Sequence, residues 1–343
     1  DGKVTVTLNS EGSSSAISRF TDIKLAKAVT KIPFIKGGDV SQLTYVEQKG
    51  GKYYENGVQD DCLKILSRNG MNLVRLRLYN DPGNPDYSPS NRLPKGIQTQ
   101  EDILRLAKRA KAEGMQIMLT FYYSDYWDSD ITHLWQGCTN EQLKDSVYHF
   151  TESFMKKMKD QGTEPEYVSV GNETNNGFLL PVGSIDNITN LASFYNAAYD
   201  AIKSVTPSSR VIIHISGAGN NNLFSWYFGL MDKYNVKYDI MGGSYYPYWN
   251  KIDAATAVNA VSGMTAKFDK DFIFMETGYA FRKDITDGSW GQLSNNGPYE
   301  DLSYQGQKNF ILELSNLIKC DSRQRILGYV YWDPIFIPAG DAG

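Results

Sequence analysis

Residues 99–127 read TQEDILRLAKRAKAEGMQIMLTFYYSDYW, and three kinds of structure follow one another within them. Ile103, Leu104, Leu106, Ala107 and Ala110 recur at helical spacing, and Thr99 with Asp102 makes a capping-box-like start. That spacing predicts an amphipathic helix over 100–113. Gly114 then stands where a left-handed C-cap favours glycine. The next run, IMLTFYY at 117–123, is apolar almost without a break, as in a strand covered on both faces of a parallel sheet. A polar, aromatic loop follows, so the stretch is one helix–glycine–strand–loop unit.

The unit recurs along the chain. Strands are predicted at 34–40, 73–79, 116–122, 166–171, 210–215, 239–245, 272–276 and 327–332. Helical periodicity occupies 59–69, 100–113, 140–160, 187–205, 222–234, 254–268 and 304–319, and Gly70 closes its helix as Gly114 does. Eight buried strands alternating with helices indicate an α/β chain folded as a (β/α)8 TIM barrel. An open doubly wound sheet would show a GxGxxG turn after its first strand, and none is present. The barrel domain is expected over 31–343, after a lead segment at 1–30. Only PIFIPAGDAG follows the last strand, so an eighth helix is expected to be absent or truncated, with residues 16–29 as a candidate cover. The segments after the strands are long and aromatic, such as YNDPGNPDYSPSNRLP at 79–94 and YSDYWDSDITHLWQG at 123–137. In a barrel they lie on the C-terminal face, where active sites are built.

Composition narrows the function. With 41% hydrophobic and 22% charged residues, the chain can form a globular core. A net charge of -4 with no basic stripe argues against nucleic acid. Three cysteines (Cys62, Cys138, Cys320) argue against a disulfide framework. HExxH, CxxC and GxxxxGK are absent, so metalloprotease, redox and nucleotide-triphosphate chemistries lose their main support, and neither metal nor cofactor is expected. No apolar stretch approaches the ~18 residues of a membrane span. The 23 Tyr, 15 Phe and 6 Trp fit a large core, and flat rings also suit the C–H faces of a pyranose.

Two glutamates end strand-like runs: Glu173 in EYVSVGNETNNG and Glu276 in DFIFMETGYAF. An acid there is costly unless it faces the polar mouth and is hydrogen-bonded. As strands four and seven, the two face each other across the barrel. Opposed carboxyls about 5–5.5 Å apart are the equipment of retaining glycoside hydrolysis. Either glutamate alone could be an ordinary helix N-terminal acid; on opposed strands the catalytic reading leads.

GGDVSQL (37–43), ILSRNGMNLVRLRLY (65–79), YYSDYW (122–127), VGNETNNGFLLP (170–181), SYYPYW (244–249), METGYAF (275–281) and YVYWDP (329–334) occur in that order. With these motifs the chain resembles glycoside hydrolase family 53, the arabinogalactan endo-β-1,4-galactanases, from about residue 34 to 338. The resemblance implies Glu173 as acid/base and Glu276 as nucleophile. It implies that Asn172 binds the 2-hydroxyl at the cleavage point and that Arg77 keeps the nucleophile ionised, the deeper Arg75 being the candidate for a structural role. Tyr245 or Tyr246 would orient Glu276, and Trp332 would lie beneath the sugar. Trp249, Tyr126, Trp127, Trp135 and Trp290 are sugar platforms or loop anchors; Asp39 and Asp125 bind hydroxyls or cap loops.

The chain departs from the family at strand three, where Thr120, Phe121 and Tyr122 replace an Asp-Phe-His run. Nothing matches the calcium loop of some members, DITDG at 284–288 being too short. The implied protein is a secreted or cell-surface, monomeric endo-galactanase acting on pectic β-1,4-galactan by double displacement. The rivals are a β-mannanase or β-glucanase of the same clan, or a carbohydrate-binding barrel without turnover.

Overall fold

The computed structural model describes residues 33–84, 93–127, 129–282, 293–337 and 339. The expected lead segment, the possible helix at 16–29, Trp290 and the DITDG run lie outside them. In chain order the elements are β1 (Ile35–Asp39), α1 (Leu43–Gln48), β2 (Tyr53–Glu55), β3 (Val58–Asp60), α2 (Cys62–Arg68), β4 (Leu73–Leu78), α3 (Gln100–Ala112) and β5 (Gln116–Phe121). Then come α4 (Asn140–Asp160), β6 (Tyr167–Val170), α5 (Ile188–Val205), β7 (Arg210–Ser216), α6 (Asn221–Lys233) and β8 (Ile240–Ser244). The last are α7 (Pro247–Asn250), α8 (Ala254–Phe268), β9 (Asp271–Thr277), α9 (Tyr304–Cys320) and β10 (Ile326–Tyr331).

All eight predicted strands form, and they close into one barrel in the order β1, β4, β5, β6, β7, β8, β9, β10, with β10 pairing back to β1. Every barrel pairing is parallel. Alternation sorts the side chains. Val74, Leu76, Leu78, Ile117, Leu119 and Phe121 pack outward with the helices, whereas Leu73, Met118, Ile212, Ile240 and Ile273 fill the barrel interior. Arg75 and Arg77 share the inward parity of Leu73.

The chain start of α2 differs from its expected bounds. A hairpin of β2 and β3 occupies the predicted first turn, because Asn56 and Gly57 both adopt positive φ (52° and 81°) as a two-residue turn requires. Asp61 then caps α2, accepting from the backbone N–H of Leu63 and Lys64. α3 and α4 start as read, at Gln100 and Asn140; Thr99 caps the first, and the structure adds a Thr139–Gln142 capping box to the second. Among the described residues no helix follows β10. A hollow there runs from the mouth down the side of the barrel, past Tyr329, Leu312, Met71 and Lys36. No helix among the described residues is long and apolar enough to cross a membrane, and Cys62, Cys138 and Cys320 are unbridged.

Candidate active site

Both glutamates reach the mouth through a local irregularity. On β9, Phe274 pairs with Gly243 and Glu276 with Ser244, so two steps on β9 oppose one on β8. Strict alternation from Phe272 and Phe274 would turn Glu276 toward the helices; the bulge at Met275 turns it inward. At the end of β6, Gly171 (φ 76°) and Glu173 (φ 43°, ψ 51°) bend the chain over the barrel. A side chain at 171 would drive its Cβ to 2.4 Å from Thr174 Cγ2, so glycine is required there.

Glu276 is held by two donors. Arg75 Nη1 donates to Oε1 at 2.6 Å, and the Tyr246 hydroxyl donates to Oε2 at 3.1 Å. Arg75 also donates through Nη2 to Asn172 Oδ1 (2.6 Å) and through Nε to Thr120 Oγ1 (3.2 Å). One buried guanidinium thereby ties the strand-four asparagine to the strand-seven carboxylate. Because Oδ1 of Asn172 is taken, its amide NH2 is oriented as a donor.

Glu173 lies in a different setting. Burial, then the charge of Glu276, push its carboxyl up to about 7 from an ordinary 4.5; the Ser244 hydroxyl and Arg75 pull the other way. The carboxyl is therefore protonated over much of the neutral range while a second carboxylate stands beside it, the division of labour that acid-assisted displacement needs.

Several sequence expectations are corrected here. Arg77 does not touch Glu276: its Nε lies 3.2 Å from Asp39 Oδ2 and its Nη2 3.3 Å from Asp333 Oδ1. Both arginines point inward, and the deeper Arg75 has the reach to climb to the strand-end carboxylate, while Arg77 at the rim is held by the ends of β1 and β10. Asp39 does not line the cleft. It is fully buried, accepts from Ser41 N and Oγ, and neutralises Arg77 and, at 3.6 Å, Arg75. Asp125 is likewise a buried anchor, accepting from the Thr132 hydroxyl, the backbone of Asp81 and His133, and His133 Nδ1. Tyr245 packs in the core, its hydroxyl donating to the Ile252 carbonyl, so Tyr246 alone orients Glu276.

The aromatic residues divide. Trp332 and Trp127 both lie over the Arg77 guanidinium, each ring centroid 4.5 Å from it, and form one wall of the mouth. Trp249 is 58% exposed at the rim, edge-on to Tyr248, beside the hollow that contains Glu173 and Glu276. Trp135 and Tyr126 are packed against buried side chains and act as loop anchors.

Arg75, read in the sequence as structural, makes the contact to Glu276, and three further residues of the site went unread. Asp333, after Trp332 in YVYWDP, is pushed up to about 7 by burial against the pull of Arg77. Ser244 opens the SYYPYW motif, and His214 interrupts the apolar run of β7 on its inward parity, its Nε2 2.8 Å from Ser244 Oγ. Among the described residues no cluster of three or more His, Cys, Asp or Glu is placed to hold a metal ion.

A closed eight-stranded parallel barrel whose C-terminal mouth holds two carboxyls from facing strands, one held toward its protonated form and one buried and paired with arginine, is the framework of a barrel glycoside hydrolase. The chain belongs to glycosyl hydrolase family 53, whose model matches residues 35–343. It is 29% identical over 318 residues to an endo-β-1,4-galactanase of Bacillus subtilis, covering 90% of this chain and 71% of that protein. The family 53 catalytic domain of Ignisphaera aggregans superposes with a TM-score of 0.83 at 32% identity, over 91% of this chain and 88% of that one. A structure of fungal β-1,4-galactanases superposes at 0.77 with 26% identity, over 88% and 90%.

Proposed function

We propose that this glycoside hydrolase cleaves internal β-1,4-galactosidic bonds of galactan by double displacement, with Glu276 as nucleophile and Glu173 as acid/base. The observation that carries the roles is the contrast between the two carboxyls: Glu276 is buried and accepts from Arg75 and Tyr246, whereas the half-buried Glu173, facing that charge, is held toward its protonated form. Glu276 attacks the anomeric carbon while the Glu173 carboxyl protonates the departing oxygen. Glu173, now ionised, then takes a proton from the water that releases the sugar. Asn172, its amide fixed by Arg75, donates to the 2-hydroxyl, a contact that strengthens as positive charge develops on the ring. Trp332 floors the cleavage point and Trp249 stacks a sugar at the rim. The galactan reading rests on family membership together with relatives named as galactanases. An extracellular polymer as substrate goes with a secreted or surface-held enzyme.

The test is digestion of β-1,4-galactan, β-mannan and β-glucan in parallel, followed by chromatography over time. Galacto-oligosaccharides of mixed length, appearing early and from galactan alone, are expected. Cleavage of mannan or glucan instead would move the specificity to the altered strand-three floor at Thr120 and Tyr122, and overturn the galactan assignment.

A further inference from the structure

We propose that His214 and Ser244 form a one-way hydrogen-bond relay whose last donor, the Ser244 hydroxyl, is committed to the Glu173 carboxylate. His214 is fully buried on β7, with Nε2 2.8 Å from Ser244 Oγ on β8. Ser244 and Glu173 line the same hollow at the barrel mouth, and the serine hydroxyl draws the Glu173 carboxyl toward its ionised form. The other ring nitrogen, Nδ1, is buried and meets no partner.

The polarity follows from that orphan. Burial and the positive charge of Arg75 keep the ring neutral, so it carries one proton. On Nε2 the proton is donated to Ser244 Oγ, and the serine hydroxyl is left to donate onward to Glu173. Reversing the chain would put the proton on Nδ1, a buried N–H with no acceptor, which is the costlier arrangement. It would also take the donor away from the carboxylate. His214 and Ser244 are therefore positioning residues that favour ionised Glu173.

The groups around Glu173 set the relay's part in the cycle. Glu276 from β9 opposes ionisation; Arg75 from β4 and Ser244 from β8 favour it, and the Tyr246 hydroxyl after β8 is engaged with Glu276. While Glu276 is charged, burial and repulsion hold the Glu173 proton in place for donation. Once Glu276 is bound to sugar as an ester its charge is gone, and the relay with Arg75 draws Glu173 to the ionised form that the incoming water needs.

This inference rests on Glu173 being the acid/base, and the experiment separates the two. The Glu173 carboxyl is titrated by NMR in protein carrying 13C-labelled glutamate, assigned with Glu173→Gln, in wild type, Ser244→Ala, Ser244→Thr, His214→Leu and His214→Gln. Loss of the hydroxyl in Ser244→Ala should raise the Glu173 midpoint by roughly half to one pH unit. Ser244→Thr should restore it, and His214→Gln, which keeps a donor, should shift it less than His214→Leu. With an aryl galactobioside, whose acidic leaving group makes the second step limiting, Ser244→Ala should lower kcat about 3–10-fold near neutral pH, and less as pH rises. A midpoint unmoved in folded Ser244→Ala, or equal in His214→Leu and His214→Gln, overturns the relay. A midpoint that moves while kcat for the aryl substrate does not leaves the relay standing and overturns Glu173 as acid/base.

Discussion

Glu173 combines two unfavourable features: a left-handed backbone at a non-glycine residue, which costs about 1–2 kcal/mol, and a carboxyl taken out of water. Its folded-state pKa is raised to about 7 from 4.5, so it contributes fully to stability below about pH 4.5 and that contribution is lost as pH rises through 7. Glu173→Gln removes the charge that must be buried. Relative to wild type, the variant should gain roughly 1–3 kcal/mol of unfolding free energy between pH 4.5 and pH 8. Urea unfolding of both proteins at the two pH values checks this; a difference that stays constant with pH would mean that Glu173 is not held protonated. At this scale the sequence was partly legible. Glu173 and Glu276 could be found because each ends a buried strand, and Asn172 through the family resemblance. Arg75 and Arg77 could not be told apart, since both have inward parity and side-chain reach decides between them. Asp39, Asp125 and Tyr245 follow strands as cleft residues do, and only their partners reveal them as buried anchors.

The elements around the site convert that residue chemistry into fixed geometry. The turn after Glu173 is clamped from two helices: Tyr195 of α5 donates to Thr174 Oγ1 (2.5 Å), and Tyr227 of α6 donates to the Thr174 carbonyl (2.9 Å), the two hydroxyls meeting at 2.9 Å. Thr174 Oγ1 also donates to the His214 carbonyl on β7. Such over-determination is what lets a strained residue persist. Tyr227→Phe keeps the ring and deletes the hydroxyl, leaving the Thr174 carbonyl to the Gly177 N–H alone, at a cost of about 0.5–1.5 kcal/mol. Thermal unfolding should fall by a few degrees and kcat on galactan by roughly 3–30-fold, with KM little changed. An unchanged kcat in a destabilised protein would show that the clamp serves the fold and not the site. The strands and most helices were legible from periodicity, because covered parallel strands read as apolar runs. The β9 bulge was not, since an extra residue leaves no mark in an apolar run. The hairpin at 53–60 did carry its Asn-Gly signal, masked by a helical pattern that begins only at Cys62.

At the scale of the barrel, the strands are parallel, so the described loop residues that follow them lie at one end, where the hollow containing Glu173, Glu276, Ser244, Tyr246, Trp249 and Trp332 opens. This asymmetry was readable from loop length and composition alone, whereas substrate identity was not, because it depends on cleft shape. Family membership supplies the direction that shape alone does not. The central claim is that a covalent sugar ester forms on Glu276 across the barrel from Glu173, and trapping tests it most directly. The protein is incubated with a 2-deoxy-2-fluoro galactobiosyl fluoride, digested, and mapped by mass spectrometry. One adduct is expected, on the peptide that contains Glu276, lost in Glu276→Ala and forming still in Glu173→Ala because fluoride needs no protonation to leave. An adduct on another carboxylate, or none in an enzyme that turns over galactan, would contradict the account.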